Sequence, residues 1–190
     1  FRGIMMEKSS SKRAYAVCTA AAMVLLAVQM LYIHANLEYA GSWGQTAAIS
    51  ALFSLAAGIM LCGFVKLKKP TAGELGLTCS IVCVTALARV SMLDYVSSDY
   101  QSFLVGWLDV FRTGGFKTLG ENVGDYNLIY QYVLLLISKA PLKDLYLVKL
   151  FTVLFDYGLA LTMMQAADYF ASEKAKVPVL LIVTALPTVL

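Results

Sequence analysis

Residues 94–149 read DYVSSDYQSFLVGWLDVFRTGGFKTLGENVGDYNLIYQYVLLLISKAPLKDLYLVK, and this stretch decides how the rest of the chain is organised. It is the one long interval rich in polar residues in a chain that otherwise alternates apolar runs with short basic loops. It holds half of the chain's 12 carboxylates, at Asp94, Asp99, Asp109, Glu121, Asp125 and Asp144. A protein that keeps half of its acids between two apolar runs is expected to keep its chemistry there.

The composition predicts a membrane protein. Apolar residues make up 59% of the chain and charged residues 14%, whereas roughly a quarter of a soluble domain is charged. A globular core of this size could not bury that much apolar surface, so the lipid bilayer is the expected solvent. The net charge of +3 is small, and nucleic acid is not an expected partner. All four cysteines lie in apolar runs, which favours neither a disulfide framework nor a metal site.

Apolar runs flank the polar stretch on both sides. A run of about twenty such residues is long enough to cross a bilayer as a helix. We therefore expect an all-α, polytopic transmembrane protein with about five spans. The predicted spans are residues 14–33, 46–65, 75–93, 145–170 and 177–190. Because the last run stops abruptly, we expect the chain to be an N-terminal fragment of a longer protein.

The distribution of basic residues predicts the orientation of these spans. Lys66, Lys68 and Lys69 follow the second run, and short basic loops stay in the cytoplasm. The N-terminus is then cytoplasmic, and a long loop of about residues 94–145 lies on the non-cytoplasmic face. We divide the chain into an N-terminal transmembrane hairpin, 1–70, and the first part of a transmembrane core, 71–190.

Two short amphipathic helices are predicted within this loop, lying in the membrane interface. Ser98 and Gln101 fit a capping box at the start of the first helix, which places Asp99 at its first helical position. Its apolar stripe comprises Tyr100, Phe103, Leu104, Trp107, Leu108 and Phe111. Asp125 is expected to cap the second helix, whose apolar run is too short to span. Its predicted stripe comprises Tyr126, Ile129, Tyr130, Val133 and Ile137.

Three charged positions have both a chemical and a structural interpretation. The helix dipole favours the ionised form of Asp99, which could then accept a proton from a hydroxyl group or only stabilise its helix. Lys149 lies inside an apolar span, where it either snorkels to the interface or meets an anion such as a lipid phosphate. Asp94 could pair with Arg89 across a turn or take part in binding.

Four segments carry a resemblance to a known family: SSDYQSFLVGW, GDYNLIYQYVLLLIS, LYLVKLFTVLFD and ALPTVL. Together they cover about residues 95–190. Their order resembles that of the GT-C glycosyltransferase superfamily, multi-span enzymes that use polyprenyl-phosphate sugars. The likeness is to the bacterial relatives of the second GPI mannosyltransferase.

The resemblance implies a role for each of several residues. Asp99 takes the place of the catalytic carboxylate, and Lys149 that of the basic residue that holds the donor phosphate. The remaining implied substrate-binding residues are Asp125, Tyr126, Asn127, Asp94, Arg89 and Trp107. The implied reaction moves a sugar, mannose or a related hexose, to a hydroxyl group of a glycan, lipid or protein. It needs no cofactor and no obligatory metal, and the location implied is the bacterial plasma membrane. The alternative is a non-enzymatic polytopic protein, such as part of a transporter.

Overall fold

The computed structural model describes residues 2–37, 42–121, 123–124 and 127–186, with side chains from residue 11 onward. The described chain is all-α and contains no strand, as the sequence predicts. Its helices are α1 (Arg2–Asn36), α2 (Trp43–Lys68), α3 (Ala72–Ser91), α4 (Val105–Gly114), α5 (Leu128–Lys139), α6 (Asp144–Phe170) and α7 (Lys176–Ala185). A π-helical turn, Tyr100–Leu104, leads into α4, and a 3-10 turn, Gly115–Gly120, follows it.

Four of the described helices are long and apolar enough to cross a membrane: Ser11–Asn36 of α1, and the whole of α2, α3 and α6. Their sequences therefore specify a polytopic, integral membrane protein, and the predicted class is confirmed. α5 is apolar but has only 12 residues. The fifth predicted span corresponds to α7, of which 10 helical residues are described, while residues 187–190 lie outside the described part.

The long helices share one core. Buried side chains from α1, α2, α3, α6 and α7 form a continuous hydrophobic cluster, with Ile33, Phe64 and Val82 among its fully buried members. α2 and α6 approach closely at Gly63, where an added Cβ atom would stand 2.8 Å from Leu161 Cδ1. Small residues allow such close helix packing in membranes.

A buried hydrogen bond also joins the first two helices. The hydroxyl of Ser54 in α2 donates to Oε1 of Gln29 in α1 over 2.8 Å. Contacts of this kind between transmembrane helices contribute about 0.6 to 2 kcal/mol each. The first two helices thus pack against the others, while the division of the chain at residue 70 stays a prediction.

The two short helices of the polar stretch form a separate layer at the end of the bundle where α3 ends and α6 begins. We call this end the α4–α5 end. Its core comprises Leu104, Leu108 and Phe111, which pack against Leu134 and Leu135 of α5. These three residues of the first predicted stripe are buried as expected. Phe103 departs from that stripe, since its side chain is 54% exposed.

The predicted stripe of the second helix was wrong in part. Ile129 is 77% exposed, whereas Gln131, Leu134 and Ser138 are buried. α5 carries apolar residues on almost every side, so the periodicity of its sequence does not select one face. The contacts with α4 and α6 determine which face of α5 is buried.

Both predicted helix caps also shift along the chain. The hydroxyl of Ser97, and not that of Ser98, accepts a hydrogen bond from the backbone N–H of Tyr100 over 3.2 Å. Ser98 is the first helical residue and Asp99 the second. α5 is capped by Asn127, whose Oδ1 accepts from the N–H of Tyr130 over 3.0 Å. Asp125 and Tyr126, which were predicted to open this helix, lie outside the described residues.

Candidate functional site

A cleft of about 400 Å³ opens at the α4–α5 end, between the start of the first short helix and the first turns of α6. Its lining combines a carboxylate, an ammonium group, two serine hydroxyls and several aromatic rings. The polar and aromatic lining residues that matter below are Tyr95, Ser98, Asp99, Trp107, Tyr130 and Lys149. Asp99, Trp107 and Lys149 were predicted site residues, and all three border this one cleft.

Asp99 owes its place to the local fold of the chain. The cap provided by Ser97 starts the helix at Ser98, so Asp99 falls in the first turn, where free N–H groups stabilise an anion. Its side chain is exposed to the cleft. Within the described part of the chain, Asp99 forms no ion pair, so its carboxylate is available to a ligand.

Lys149 reaches the cleft from α6. Its ammonium group donates hydrogen bonds to the backbone carbonyl oxygens of Met92 over 2.5 Å, Leu93 over 3.2 Å and Tyr95 over 2.5 Å. The same group lies 5.7 Å from the centre of the Tyr95 ring. The ammonium group of Lys149, which the sequence places inside an apolar span, therefore finds its hydrogen-bond acceptors in the backbone at the end of α3 and in the loop after it.

Trp107 forms an aromatic wall of the cleft. Its indole ring lies 6.0 Å from the ring of Phe103, centre to centre. The backbone at Gly124 also approaches the indole so closely that an added Cβ atom would stand 2.5 Å from Trp107 Cζ2. Gly124 also has a φ of 70°, a left-handed conformation that favours glycine. A glycine at position 124 therefore leaves room for the Trp107 ring.

Arg89 does not contact Asp94 as the sequence suggested. Its guanidinium lies 3.4 Å from Asp156 Oδ2 and donates to the carbonyl of Thr184 over 3.1 Å. It also lies over the ring of Tyr157, at 5.5 Å from the ring centre. The partners of Arg89 lie on α6 and α7 and are therefore distant in sequence. It does not line the cleft.

Asp94 instead faces the start of α6. Its Oδ1 atom accepts a hydrogen bond from Lys143 over 3.0 Å and another from the Tyr146 hydroxyl. Because α3 has already ended at Ser91, no helical turn brings Asp94 back towards Arg89. Asp94 is thus a contact between the loop and α6. The side chain of Asn127 caps α5. Its predicted role in substrate binding stays a prediction.

The segment KDLYLVK, residues 143–149, holds the cleft together, and the sequence interpretation missed most of it. Lys143, Tyr146 and Lys149 hold the loop after α3, while Asp144 pairs with Arg112 near the end of α4. The spacing of its charged and polar residues carries a signal for these contacts. Positions 143, 144, 146 and 149 lie on more than one face of the helix, as expected for a segment that contacts several neighbours.

Arg112 anchors the far end of α4. It pairs with Asp109, three residues earlier, over 2.9 Å and also with Asp144. Lys139 of α5 donates to the carbonyl of Arg112 over 2.8 Å. Hydrogen bonding to Asp144 raises the pKa of Arg112, so the guanidinium stays charged. The last turns of α4 are therefore attached to both α5 and α6.

Tyr100 lies between the cleft and this ion-pair network. Burial and the nearby Asp144 carboxylate raise the pKa of Tyr100 to about 12, although the Arg112 guanidinium acts in the opposite direction. The phenol is consequently neutral at physiological pH and keeps its O–H as a donor. The cleft thus offers one free carboxylate, neutral hydroxyls and a positive charge at its edge.

No group of three or more His, Cys, Asp or Glu side chains within the described residues is arranged to hold a metal ion. Comparisons of the chain with protein-family models, curated proteins and solved structures found no match.

Proposed function

We propose that this chain belongs to a membrane glycosyltransferase that moves a sugar from a polyprenyl-phosphate donor to a hydroxyl acceptor. One observation supports the proposal most strongly. Asp99 and Lys149, which are 50 positions apart in the sequence, border the same cleft of about 400 Å³ together with Trp107. A carboxylate, a positive charge and a flat aromatic ring are the groups that this reaction would use.

The chemistry assigns separate roles to these groups. Asp99 would accept the proton of the acceptor hydroxyl while the oxygen of that hydroxyl forms a bond to the anomeric carbon of the sugar. The bond between that carbon and the phosphate oxygen breaks, and the polyprenyl phosphate leaves with the bonding electrons. A phosphate is a stable anion, so the positive charge of Lys149 at the cleft edge would favour its departure without a metal ion.

The aromatic lining suits a sugar. A pyranose presents an apolar C–H face and a rim of hydroxyls, and aromatic side chains offer a large rigid apolar surface with, for tyrosine, a polar group. Trp107, Tyr95 and Tyr130 supply such surfaces around Asp99. The hydroxyls of Ser97 and Ser98 lie on the same lining and could bond the rim of the sugar.

The position of the cleft fits a donor held in a bilayer. It lies at the α4–α5 end, where the transmembrane helices α3 and α6 meet the short helices. Lys66, Lys68 and Lys69 lie at the opposite end of α2 and α3. By the positive-inside rule the cleft would face the non-cytoplasmic side, in a bacterial cell the outer face of the plasma membrane.

The test compares Asp99→Asn with Asp109→Asn in the complete gene product, reconstituted in lipid nanodiscs with a labelled polyprenyl-phosphate mannose. Asp109 is the matched control because it lies in the same helical segment, pairs with Arg112 and does not line the cleft. We expect Asp99→Asn to lower the transfer rate by about 10²- to 10⁴-fold with unchanged helical circular dichroism. Asp109→Asn should keep the rate of the wild type.

Equal transfer by wild type and Asp99→Asn would exclude the catalytic assignment. Absence of transfer by the wild type itself, across hexose donors, would favour the non-enzymatic alternative.

A further inference from the structure

The ammonium group of Lys149 is fully engaged by the backbone. A lysine ammonium has three N–H donors, and three carbonyl oxygens accept from it, those of Met92, Leu93 and Tyr95. An additional acceptor, such as a phosphate oxygen, would have to displace one of them. Lys149 therefore brings charge to the edge of the cleft but has no N–H left to donate to a ligand.

These carbonyls belong to the end of α3 and the loop after it. The last carbonyls of a helix lack partners within that helix. Met92 is the C-cap residue of α3, and its carbonyl also accepts a hydrogen bond from the N–H of Tyr95 over 3.1 Å. Near the apolar part of a membrane an unpaired carbonyl is costly, and a cation at the carboxyl end of a helix is favourable. Lys149 of α6 thus supplies hydrogen bonds and a positive charge to the end of α3 and to the loop that follows it.

The chain between this attachment and Asp99 is short. Only Val96 and Ser97 separate Tyr95, whose carbonyl Lys149 holds, from Ser98, the first residue of the next helix. Ser97 is itself fixed, because its hydroxyl accepts from the N–H of Tyr100 and its carbonyl accepts from the N–H of Gln101 over 3.1 Å. Few free torsions remain between the Lys149 contact and Asp99.

We propose that Lys149 is a positioning residue for Asp99, which acts through residues 92–95, and is not a direct ligand of the donor phosphate. The inference rests on the proposed function and sharpens it, because it separates the two charged residues of the cleft by role. Asp99 meets the substrate. Lys149 fixes the loop from which the helix carrying Asp99 starts, and its charge contributes to the cleft only at a distance.

The two possible roles of Lys149 have different kinetic consequences. A direct phosphate ligand contributes to donor binding, so its loss raises the donor KM. A positioning residue keeps the carboxylate in its reactive geometry, and a displacement of about 1 Å costs about 10²-fold in rate. The structural effect of the second role is also visible without any substrate, as faster amide exchange in the loop.

The experiment uses Lys149→Met, which keeps the length of the side chain and removes its donors, and Lys149→Arg, which restores donors. Lys139→Met is the matched control, since Lys139 also donates to a carbonyl at a helix end, that of Arg112, but does not line the cleft. All are measured as the complete gene product in nanodiscs. Hydrogen exchange of residues 92–101 without substrate is the first measurement, and kcat and donor KM are the second.

We expect exchange in residues 92–101 to accelerate at least about tenfold in Lys149→Met, with no acceleration in α2. We expect kcat to fall about 10²-fold with donor KM nearly unchanged. Lys149→Arg should recover most of both properties, and Lys139→Met should leave both at the wild-type level.

Unchanged exchange in Lys149→Met together with a donor KM at least about tenfold higher would overturn the proposal. If Lys149→Met does not fold, Lys149→Arg decides: protected amides with a normal donor KM support positioning, and protected amides with a raised donor KM oppose it. If the wild type transfers no sugar, the proposed function fails, while the exchange result still tests the attachment of the loop.

Discussion

Arg89 of α3 and Asp156 of α6 form an ion pair inside the helical bundle, with Nη2 and Oδ2 3.4 Å apart. The two side chains are 15% and 9% exposed, respectively. The same guanidinium donates to the carbonyl of Thr184 near the end of α7. One side chain thus connects three helices at a depth where charge needs a partner.

Removal of Arg89 should be more harmful than removal of both charges. Breaking a buried pair typically costs about 3–5 kcal/mol, because one charge stays buried without its counterpart, whereas replacing both with apolar residues is often nearly neutral. We expect Arg89→Met to lower the free energy of unfolding by that amount and Arg89→Met with Asp156→Leu to lower it less. Unfolding by denaturing detergent in mixed micelles measures both, and strictly additive losses would contradict the coupling.

Gly124 should not tolerate a side chain. Its φ of 70° disfavours alanine by about 1–2 kcal/mol, and the added Cβ atom would overlap the ring of Trp107. We expect Gly124→Ala to destabilise the α4–α5 end and to shift the fluorescence of Trp107, measured in a Trp43→Phe background. Gly106→Ala is the control, because no atom lies within 4 Å of its added Cβ and alanine favours a helix by about 0.5–1 kcal/mol. An unshifted spectrum in Gly124→Ala would refute the close contact.

The titration of Tyr100 should depend on Asp144. The pKa of Tyr100 is raised to about 12, above the value near 10 of an unfolded tyrosine. Its neutral form therefore contributes stability that is complete below about pH 10 and is lost as the pH rises through about 12. Difference ultraviolet titration of wild type against Tyr100→Phe isolates this group.

In that titration Asp144→Asn should lower the pKa of Tyr100, because the mutation removes the anion and leaves the Arg112 cation in place. Asp109→Asn should have little effect, since Asp109 is not among the charges that act on Tyr100. A lowered pKa in both variants would show that the whole network, and not Asp144, controls the phenol.

The long helices were predictable because their apolar runs exceed the thickness of a bilayer. The predicted run 46–65 lies within Trp43–Lys68, and the predicted run 145–170 begins one residue inside Asp144–Phe170. The first residue of a helix was harder to predict, because neighbouring residues in the sequence are equally good N-caps. Ser97 and Ser98 are chemically identical, and only the fold selects Ser97.

The contents of the cleft were predictable in part. Asp99, Lys149 and Trp107 could be picked out because an acid in a first turn, a charge in an apolar span and a motif resemblance are all visible locally. The partners of Arg89 and Asp94 could not be found in this way, because they lie on α6 and α7, tens of residues further along the chain. Local spacing suggested a pair between the two, and tertiary packing separated them.

The π-helical turn Tyr100–Leu104 sets the phase between Asp99 and the rest of its helix. Such a turn adds one residue to an α-helix, and each residue advances the helix by about 100°. Phe103, within this turn, is exposed, whereas Leu104, Leu108 and Phe111 share the buried face. Deletion of one residue here, such as Gln101, would leave the apolar face of α4 in place and rotate Asp99 by about 100° away from the cleft. The direction of the Asp99 side chain therefore depends on the number of residues in this turn, and a chain that lacks one of them would present a different residue to the cleft.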